Sequence, residues 1–496
     1  MSKVLVFCSD VVPLKGMATS GGGLRSWQII QGLQVSGLEV VFSMPESTYL
    51  SRTFRGQMSL EVRERLWTSS NQDEIIEREK PDVIILAKAS IKYWVKKHDI
   101  PLAIDFHGPD IIEFEQIFKG TQPQGRYSCA IAKINAITEA DFFTCAGQRQ
   151  RYYFMAFLLM GGVALDDLDI HYMPVAMPDK LPLHQPDLER RSIIFSGGFY
   201  PWLNPMPGLL DLGQCLSKNE KNKCYLDIFG GSHGTNPQEK REFDEFKRKL
   251  ERNACVTFHG IIPRDKLLAL YQKAYVAFEI MPRNPEREMA FTTRTVELMW
   301  AGLPVIYNDY AELSDLIRQY QAGWLISPGD VSQLKNVLNI IADDREAVLR
   351  ASQNAQRLVR ENLTYEKVIK PLADFCQNPK RRQRSQEGNF WNNFETRLRE
   401  KDAMLVEKEE EIRAVHAKLH GIYTSKRWKL STKMITPLLL LEKEVLKIKV
   451  QQLKRQGDFN AEWYLKQNPD VTKSGMDPFE HYIRHGKKEG RLPSPQ

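Results

Sequence analysis

The sequence predicts an α/β protein built from two doubly wound domains, with a helical extension and a small module after them. Three observations lead to it. A short apolar strand, Lys3–Phe7, passes through a glycine-rich turn into a helical stretch and a second strand, which is a βαβ unit. A second series of short apolar runs, several of them closed by Gly or His-Gly, begins at Ile193 after a Pro-rich connection. The 496 residues also exceed what one hydrophobic core organises, since cores seldom grow past roughly 250–300 residues.

Apolar residues make up 42% and charged residues 26% of the chain, the balance of a soluble globular protein. The longest apolar-rich run, Tyr152–Leu165, is shorter than the ~20 residues a bilayer requires. Lys3 leads directly into Val4–Phe7 and Asp10, so no signal-peptide core is expected. The seven cysteines contain no CxxC, which argues against a disulfide framework or a zinc site and for reduced thiols in a cytoplasm. Most of the net charge of +7 resides in the tail. After residue 376 there are 25 Lys and Arg against 16 Asp and Glu, a net +9, leaving −2 for the first 376 residues. What the tail attracts need not be the substrate of the body. No nucleic-acid partner is expected.

In the first domain, residues 1–180, the turn Ser20–Gly23 precedes a helix Leu24–Val35, which Gly37 ends, and Val40–Met44 is the next strand. Gly21, Gly22 and Gly23 let backbone N–H groups and a helix N-terminus approach an anion, or allow tight packing of helix on strand. A nicotinamide reading is weaker, because Gly21, Gly23 and Ser26 only approximate G-x-G-x-x-G and no acidic residue ends the second strand. Strands follow at Val83–Ala87 and Leu102–Phe106, the latter running into His107 and Gly108. A histidine there is either structural or placed in the ligand crevice of an α/β sheet. Ala140–Ala146 is expected to be the last strand of this domain, and Arg149 and Arg151 read as solvated charge.

The second domain, residues 181–376, opens with the strand Ile193–Phe195 and a loop through Gly197 and Gly198 that lets backbone approach a phosphate. Leu226–Phe229 leads to Gly230 and Gly231, and Val256–Phe258 to His259 and Gly260. The helix Arg264–Ala274 places Leu267, Leu270, Tyr271 and Ala274 on one face, and Tyr275–Glu279 is the next strand. The stretch Phe291–Asn308 organises the site. Thr292 or Thr293 caps a helix, Gly302 and Pro304 end it, and Val305–Tyr307 is a buried strand. Arg294 and Glu297 share one helix face, so a guanidinium for a phosphate and a carboxylate for a sugar hydroxyl can meet one ligand. A surface ion pair between the two is the alternative. Ser327–Asp330 starts a further helix whose Leu334, Val337, Leu338 and Ile341 form a core stripe.

The tail divides into a basic helical segment, 377–456, and a small module, 457–496. Leu398, Leu405, Ile412 and Leu419 repeat every seven residues, with Phe394, Val415 and Ile422 at the other seam position, and Lys401 and Lys408 interrupt it. The pattern reads as a coiled coil or as a solvated helix on the body. Ser425–Lys433 with Trp428 and Leu438–Leu441 suits an anionic membrane surface or ordinary packing. Self-association and peripheral membrane contact are thus assigned to residues 390–450. In the last module Trp463, Tyr464, Phe479 and Tyr482 are the expected core.

Glu297 and the following Ala-Gly-Leu-Pro-Val, with Thr293 and Arg294 ahead of them, resemble the donor-site helix of GT-B glycosyltransferases of the family 4, or group 1, type. The order strand, Phe-His-Gly, helix, strand, donor helix resembles their C-terminal domain, and the likeness spans roughly Lys3–Cys376. It departs from the usual pattern in two places. Met289 stands where the first acidic residue of the motif is usual, with Glu286 and Glu288 out of register, and no Arg and Lys follow Ile193–Phe195. The resemblance implies two Rossmann-like domains facing a cleft, a helix near Tyr365–Phe375 that crosses back to the first domain, and a bacterial enzyme. It implies transfer of a sugar, with retention of configuration, from a nucleotide-diphosphate sugar to a glycan or lipid-linked hydroxyl in surface polysaccharide synthesis. His107, Arg294 and Glu297 are then the catalytic candidates. Gly21, Gly22, Gly23, Gly197, Gly198, Gly260, Arg264 and Thr293 join Arg294 and Glu297 around the donor. No cofactor beyond the donor substrate is expected. No metal is expected either, since Asp167 and Asp169, which have the spacing of a metal-binding pair, have no strand before them. A sugar-nucleotide epimerase of the same fold and a noncatalytic binding scaffold are the rival readings.

Overall fold

The structure is a computed structural model that describes residues 2–51, 58–119, 122–217, 224–232, 237–383, 401, 404, 408, 411, 415 and 426–495. It divides into two compact units, Met1–Glu395 and Thr396–Gln496. The larger unit holds two six-stranded parallel sheets. The first consists of β1 (Lys3–Phe7), β2 (Glu39–Ser43), β3 (Val83–Leu86), β4 (Leu102–Phe106), β5 (Phe142–Cys145) and β6 (His171–Tyr172), in the order β2-β1-β3-β4-β5-β6. The second consists of β7 (Arg191–Ser196), β8 (Cys224–Phe229), β9 (Val256–Gly260), β10 (Val276–Glu279), β11 (Val305–Asn308) and β12 (Gly323–Ile326), in the order β12-β11-β10-β7-β8-β9.

Parallel strands are covered by helices on both faces, so they are apolar almost throughout. In β1, Val4 and Val6 enter the core on one face of the sheet while Leu5 and Phe7 enter the core on the other. In β7, Ile193 and Phe195 oppose Ile194 in the same way.

Strand order reverses between β1 and β3 and again between β7 and β10. At such a switch point neighbouring crossovers leave in opposite directions and open a crevice at the carboxyl ends of the strands. The segments that leave these four ends carry Asp10, Lys88, Gly197 and Glu286, and all four residues line one cleft.

Several boundaries differ from the sequence expectation. The first long helix is Gly21–Val35 and starts three residues early, because Ser20 accepts from Gly23 N (3.4 Å) as its N-cap. β5 is not the last strand of the first sheet: His171 and Tyr172 pair with Thr144 and Cys145 as β6. A two-residue strand leaves no periodicity to read. The crossing helix is two short ones, Tyr365–Val368 and Lys370–Gln377, the second with Pro371 in its first turn. Tyr365, Ile369 and Leu372 enter the core of the first sheet, as a crossing segment requires. Ile369 reaches the Gly21–Val35 helix at Gly32, where a Cβ would lie 2.8 Å from its Cγ1.

Arg149 is exposed but is more than solvated charge. Its guanidinium donates to Glu288 O (2.9 Å) and Tyr310 O (2.8 Å), joining the helix Gln148–Met160 to the second sheet's loops. The Glu312 carboxylate caps that helix, accepting from Gln148 N (2.7 Å) and Arg149 N (3.1 Å). Arg151 faces Asp169 at 3.7 Å.

In the smaller unit the described helix Lys426–Gln456 precedes helices Ala461–Gln467, Pro469–Ser474 and Pro478–His481. Phe459, Tyr464 and Val471 form the core, with Phe479 and Tyr482 against it. Trp463 lies outside that cluster, one helical residue away from the inward direction Tyr464 takes. The expected seam residues Phe394, Leu398, Leu405, Ile412, Leu419 and Ile422, and the side chains of Trp428 and Leu438 to Leu440, lie outside the described residues. Val415 and Leu441 are exposed. No helix among the described residues is long and apolar enough to cross a membrane.

Candidate functional site

The cleft of about 530 Å³ lies between the carboxyl edges of the two sheets. Its second-sheet wall is built on the helix Thr293–Trp300. Thr292 occupies the N-cap position with extended backbone but makes no capping bond, since its hydroxyl meets the Tyr307 hydroxyl at 2.7 Å. The first-turn N–H groups are therefore left for a ligand. Gly302 at φ +95° ends the element.

Arg294 and Glu297 do not pair with each other. Arg294 Nε donates to Glu279 Oε1 (2.6 Å) and Nη2 to Oε2 (2.7 Å), a bidentate pair with a carboxylate that is wholly buried at the end of β10. Burial pushes the Glu279 carboxyl up, and the Arg294 charge opposes that. The guanidinium also lies over the Phe195 ring, 5.0 Å from its centroid. Gly197 makes room for it: a Cβ there would fall 1.7 Å from Arg294 Nη1, and its φ of +154° already disfavours a side chain. Glu297, buried one turn on, receives Arg264 Nε at Oε1 (2.7 Å) and Arg264 Nη2 at the same oxygen. Its Oε2 has no bond among the described residues. Arg264 N in turn donates to Met17 O (3.0 Å), which ties this pair to the first sheet's glycine loop.

A third pair, Glu286 with Arg287, is buried beside these, with Arg287 Nη2 2.6 Å from Glu286 Oε1. Both line the cleft. Glu286 thus stands in the neighbourhood from which Met289 leaves the usual acidic residue missing.

The opposite wall carries Asp10, Gly21, Gly22, Lys88, His107 and Glu113. Asp10 accepts from Val11 N (2.6 Å) and from the Ser20 hydroxyl. Gly21 faces the donor helix, where a Cβ would lie 3.8 Å from Thr293 Oγ1. Two helix N-termini therefore meet across the cleft. His107 follows β4, and its buried Nδ1 has no hydrogen-bond partner among the described residues. Burial pushes its pKa down to about 4, so at neutral pH it is an uncharged imidazole.

Of the residues the sequence singled out, Gly21, Gly22, His107, Gly197, Gly198, Arg264, Thr293, Arg294 and Glu297 line the cleft together. Gly23 and Gly260 are not among its lining residues. Gly23 packs against the Val11 carbonyl, 2.0 Å from where its Cβ would be, and Gly260 is a turn at φ +71° whose carbonyl accepts from Gly230 N (2.8 Å). Glu279, Glu286, Arg287, Lys88 and Glu113 were missed. The usable signal was position: Glu279 and Lys88 each stand at or just beyond the carboxyl end of an apolar strand. Among the described residues, no group of three or more His, Cys, Asp or Glu is arranged to hold a metal ion.

Residues 183–358 match the family described as glycosyl transferases group 1. No curated protein sequence matches the chain. Solved structures resemble its fold at low identity. Sucrose-phosphate synthase from Thermosynechococcus elongatus is 15% identical with a TM-score of 0.54, the match covering 76% of this chain and 98% of that one. Anabaena HepE, in complex with UDP and glucose, is 14% identical with a TM-score of 0.53, over 76% and 100%. An alpha-glucosyltransferase in complex with UDP is 11% identical with a TM-score of 0.52, over 76% and 100%. Residues 183–358 are thus similar to group 1 glycosyl transferases, within a chain that has the two-sheet GT-B fold.

Proposed function

We propose that the chain transfers a sugar from a nucleotide-diphosphate sugar to a hydroxyl of a glycan or lipid-linked acceptor in surface polysaccharide synthesis, with retention of configuration and without a metal. The observation that carries this reading is the meeting of two helix N-termini, at Gly21 and Thr293, beside the Arg294–Glu279 and Arg264–Glu297 pairs. Oriented N–H groups and the Arg294 charge favour a departing diphosphate without a cation. The free Oε2 of Glu297 suits a ribose hydroxyl, and neutral His107 donates to the transferred sugar. UDP in the solved relatives, and UDP-glucose in a further HepE complex, make uridine donors the first to test. We place the protein in the cytoplasm, with the basic tail as the segment suited to peripheral contact with the inner face of the membrane.

The decisive experiment incubates the full chain with UDP-, GDP- and dTDP-linked hexoses and follows nucleotide release with and without oligosaccharide and lipid-linked acceptors, in the presence and absence of chelator. Acceptor-stimulated release that survives chelation supports the proposal. Interconversion of donors with no acceptor present identifies an epimerase instead. A scaffold reading is favoured by one observation, that Arg264, Arg287 and Arg294 are each already neutralised by a glutamate. Absence of both nucleotide binding and release would establish it.

A further inference from the structure

One stretch of the cleft wall takes no part in the ion pairs. The loop that leaves β7 after Gly198 runs Phe199-Tyr200-Pro201-Trp202-Leu203, and Tyr200, Trp202 and Leu203 all line the cleft. The Tyr200 and Trp202 rings stack, with centroids 4.5 Å apart and planes 22° from parallel, and both side chains are half-buried. The loop is built to hold them. Phe199 is buried at its base, in ring contact with Phe195, Phe243 and Phe246, and its N–H donates to Gly231 O (3.2 Å). Tyr200 O accepts from Leu203 N (3.1 Å) and Asn204 N (2.9 Å), and Trp202 O accepts from Asn284 Nδ2 (3.0 Å). Asn284 in turn caps the helix Pro285–Met289, which carries Glu286 and Arg287. Fixed aromatic area thus faces an open cleft, and the indole Nε1–H of Trp202 has no hydrogen-bond partner among the described residues. Pockets that bind small molecules combine such area with a few polar groups.

We infer that Tyr200 and Trp202 form a saccharide subsite of the cleft, in which a pyranose ring lies with its C–H face on the aromatic pair and one of its hydroxyls accepts from Trp202 Nε1. This rests on the transferase reading above. The loop's own chemistry selects such a ligand. From Gly197 to Pro205 it carries no charged side chain, so it is unsuited to neutralising a phosphate. An aromatic face attracts polarised C–H groups, and a pyranose presents several on one side while its hydroxyls point outward. Rings already held by stacking lose little freedom when the ligand arrives. Position argues against the nucleobase as the occupant. Ile261, Ile262 and Arg264 line the cleft after β9, whereas Trp202 is tied through Asn284 to the segment after β10. In the sheet, β9 and β10 lie on opposite sides of β7. A nucleotide sugar whose phosphate meets Arg294 and whose ribose meets Glu297, beside Arg264, has its nucleoside end on the β9 side. The Trp202 side is left to sugar, either the one transferred or one belonging to the acceptor.

The test uses the full chain, whichever UDP-, GDP- or dTDP-hexose the wild type cleaves, the nucleoside diphosphate of that donor, and the oligosaccharide acceptor that most stimulates release. Trp202→Leu keeps apolar volume but removes the ring and its N–H, and Trp202→Phe keeps a ring. Calorimetry gives the affinities for nucleoside diphosphate and for sugar nucleotide, nucleotide release gives the acceptor KM, and thermal melting confirms the fold. Trp202→Leu should bind the nucleoside diphosphate within about threefold of wild type while saccharide recognition weakens about tenfold or more, with Trp202→Phe between the two. A loss in sugar-nucleotide affinity identifies the ring on the pair as the transferred sugar; a loss confined to acceptor KM identifies it as an acceptor sugar. Hydrogen exchange at residues 199–204 of the wild type needs no substitution and decides the matter if Trp202→Leu fails to fold. Sugar nucleotide, or acceptor added with nucleoside diphosphate, should slow that exchange more than nucleoside diphosphate alone. An equal loss of affinity for nucleoside diphosphate and sugar nucleotide would make the pair a base platform and overturn the saccharide assignment. Unchanged saccharide recognition with unchanged exchange overturns it too and leaves the transferase reading standing. A wild type that neither binds nor cleaves any of the sugar nucleotides overturns both.

Discussion

The two walls of the cleft handle charge in opposite ways. On the second-sheet wall every arginine that lines the cleft has its own glutamate: Arg264 with Glu297, Arg287 with Glu286, Arg294 with Glu279. Among the described residues, His107 Nδ1 and the Glu113 carboxylate on the first-sheet wall have no partner, and burial lowers the pKa of the first and raises that of the second. One wall is organised before a ligand arrives; the other keeps groups whose protonation can change. The difference separates a wall of fixed ion pairs from one whose polar groups are left open to a ligand. Arg294 also lies against Gly197, directly after β7, where the sequence supplies no Arg and Lys of its own.

The largest effect should come from breaking the cleft pair whose carboxylate is wholly buried. Glu279→Gln leaves the Arg294 guanidinium without its charge partner, and chemical denaturation should record a loss of about 3 kcal/mol, the low end of what removing one partner of a buried pair costs. A loss below about 1 kcal/mol would mean that Arg294 is hydrated rather than held. Glu297→Gln is next. Nucleotide affinity should weaken by about 1.5–3 kcal/mol as a charged acceptor disappears, while the fold survives; unchanged UDP binding in calorimetry would take Glu297 out of the donor site.

Smaller again is the cap that joins the walls. Glu312→Gln retains one acceptor oxygen but removes the charge at the N-terminus of Gln148–Met160, so stability should fall by about 1 kcal/mol. Domain closure should loosen with it, which hydrogen exchange at residues 148–150 would detect as faster exchange. An equal effect from Gln and Ala at this position would show that charge plays no part.

The smallest effect tests the first-sheet wall without any substrate. A carboxyl whose pKa rises on folding adds stability that is fully present below its ordinary value and is lost as pH climbs through its folded value, here about 7. Glu113→Gln stays neutral and escapes that loss. It should therefore melt higher than wild type at about pH 8 and alike at about pH 4, the difference being about 1 kcal/mol or less because the residue is only half-buried. A variant that melts lower at the alkaline end would show that Glu113 is ionised and well solvated in the folded chain.

The chain by itself determined the layered α/β architecture, because strands such as Lys3–Phe7 and Leu102–Phe106 are too apolar for anything but burial between helices. It also marked the turns at Ser20–Gly23 and Gly302–Pro304, where backbone conformation allows few residue types, and the helix face shared by Arg294 and Glu297. The partners of that face came from tertiary structure alone. Spacing along a helix says which side chains point the same way, but Glu279 reaches Arg294 from a neighbouring strand and Arg264 reaches Glu297 from another helix. Whether two charges pair with each other or with third parties depends on which elements the strand order makes neighbours. The same holds for the two switch points, β6 and Glu113: each is defined by what lies across a sheet or a cleft, at separations in the chain that local periodicity does not encode.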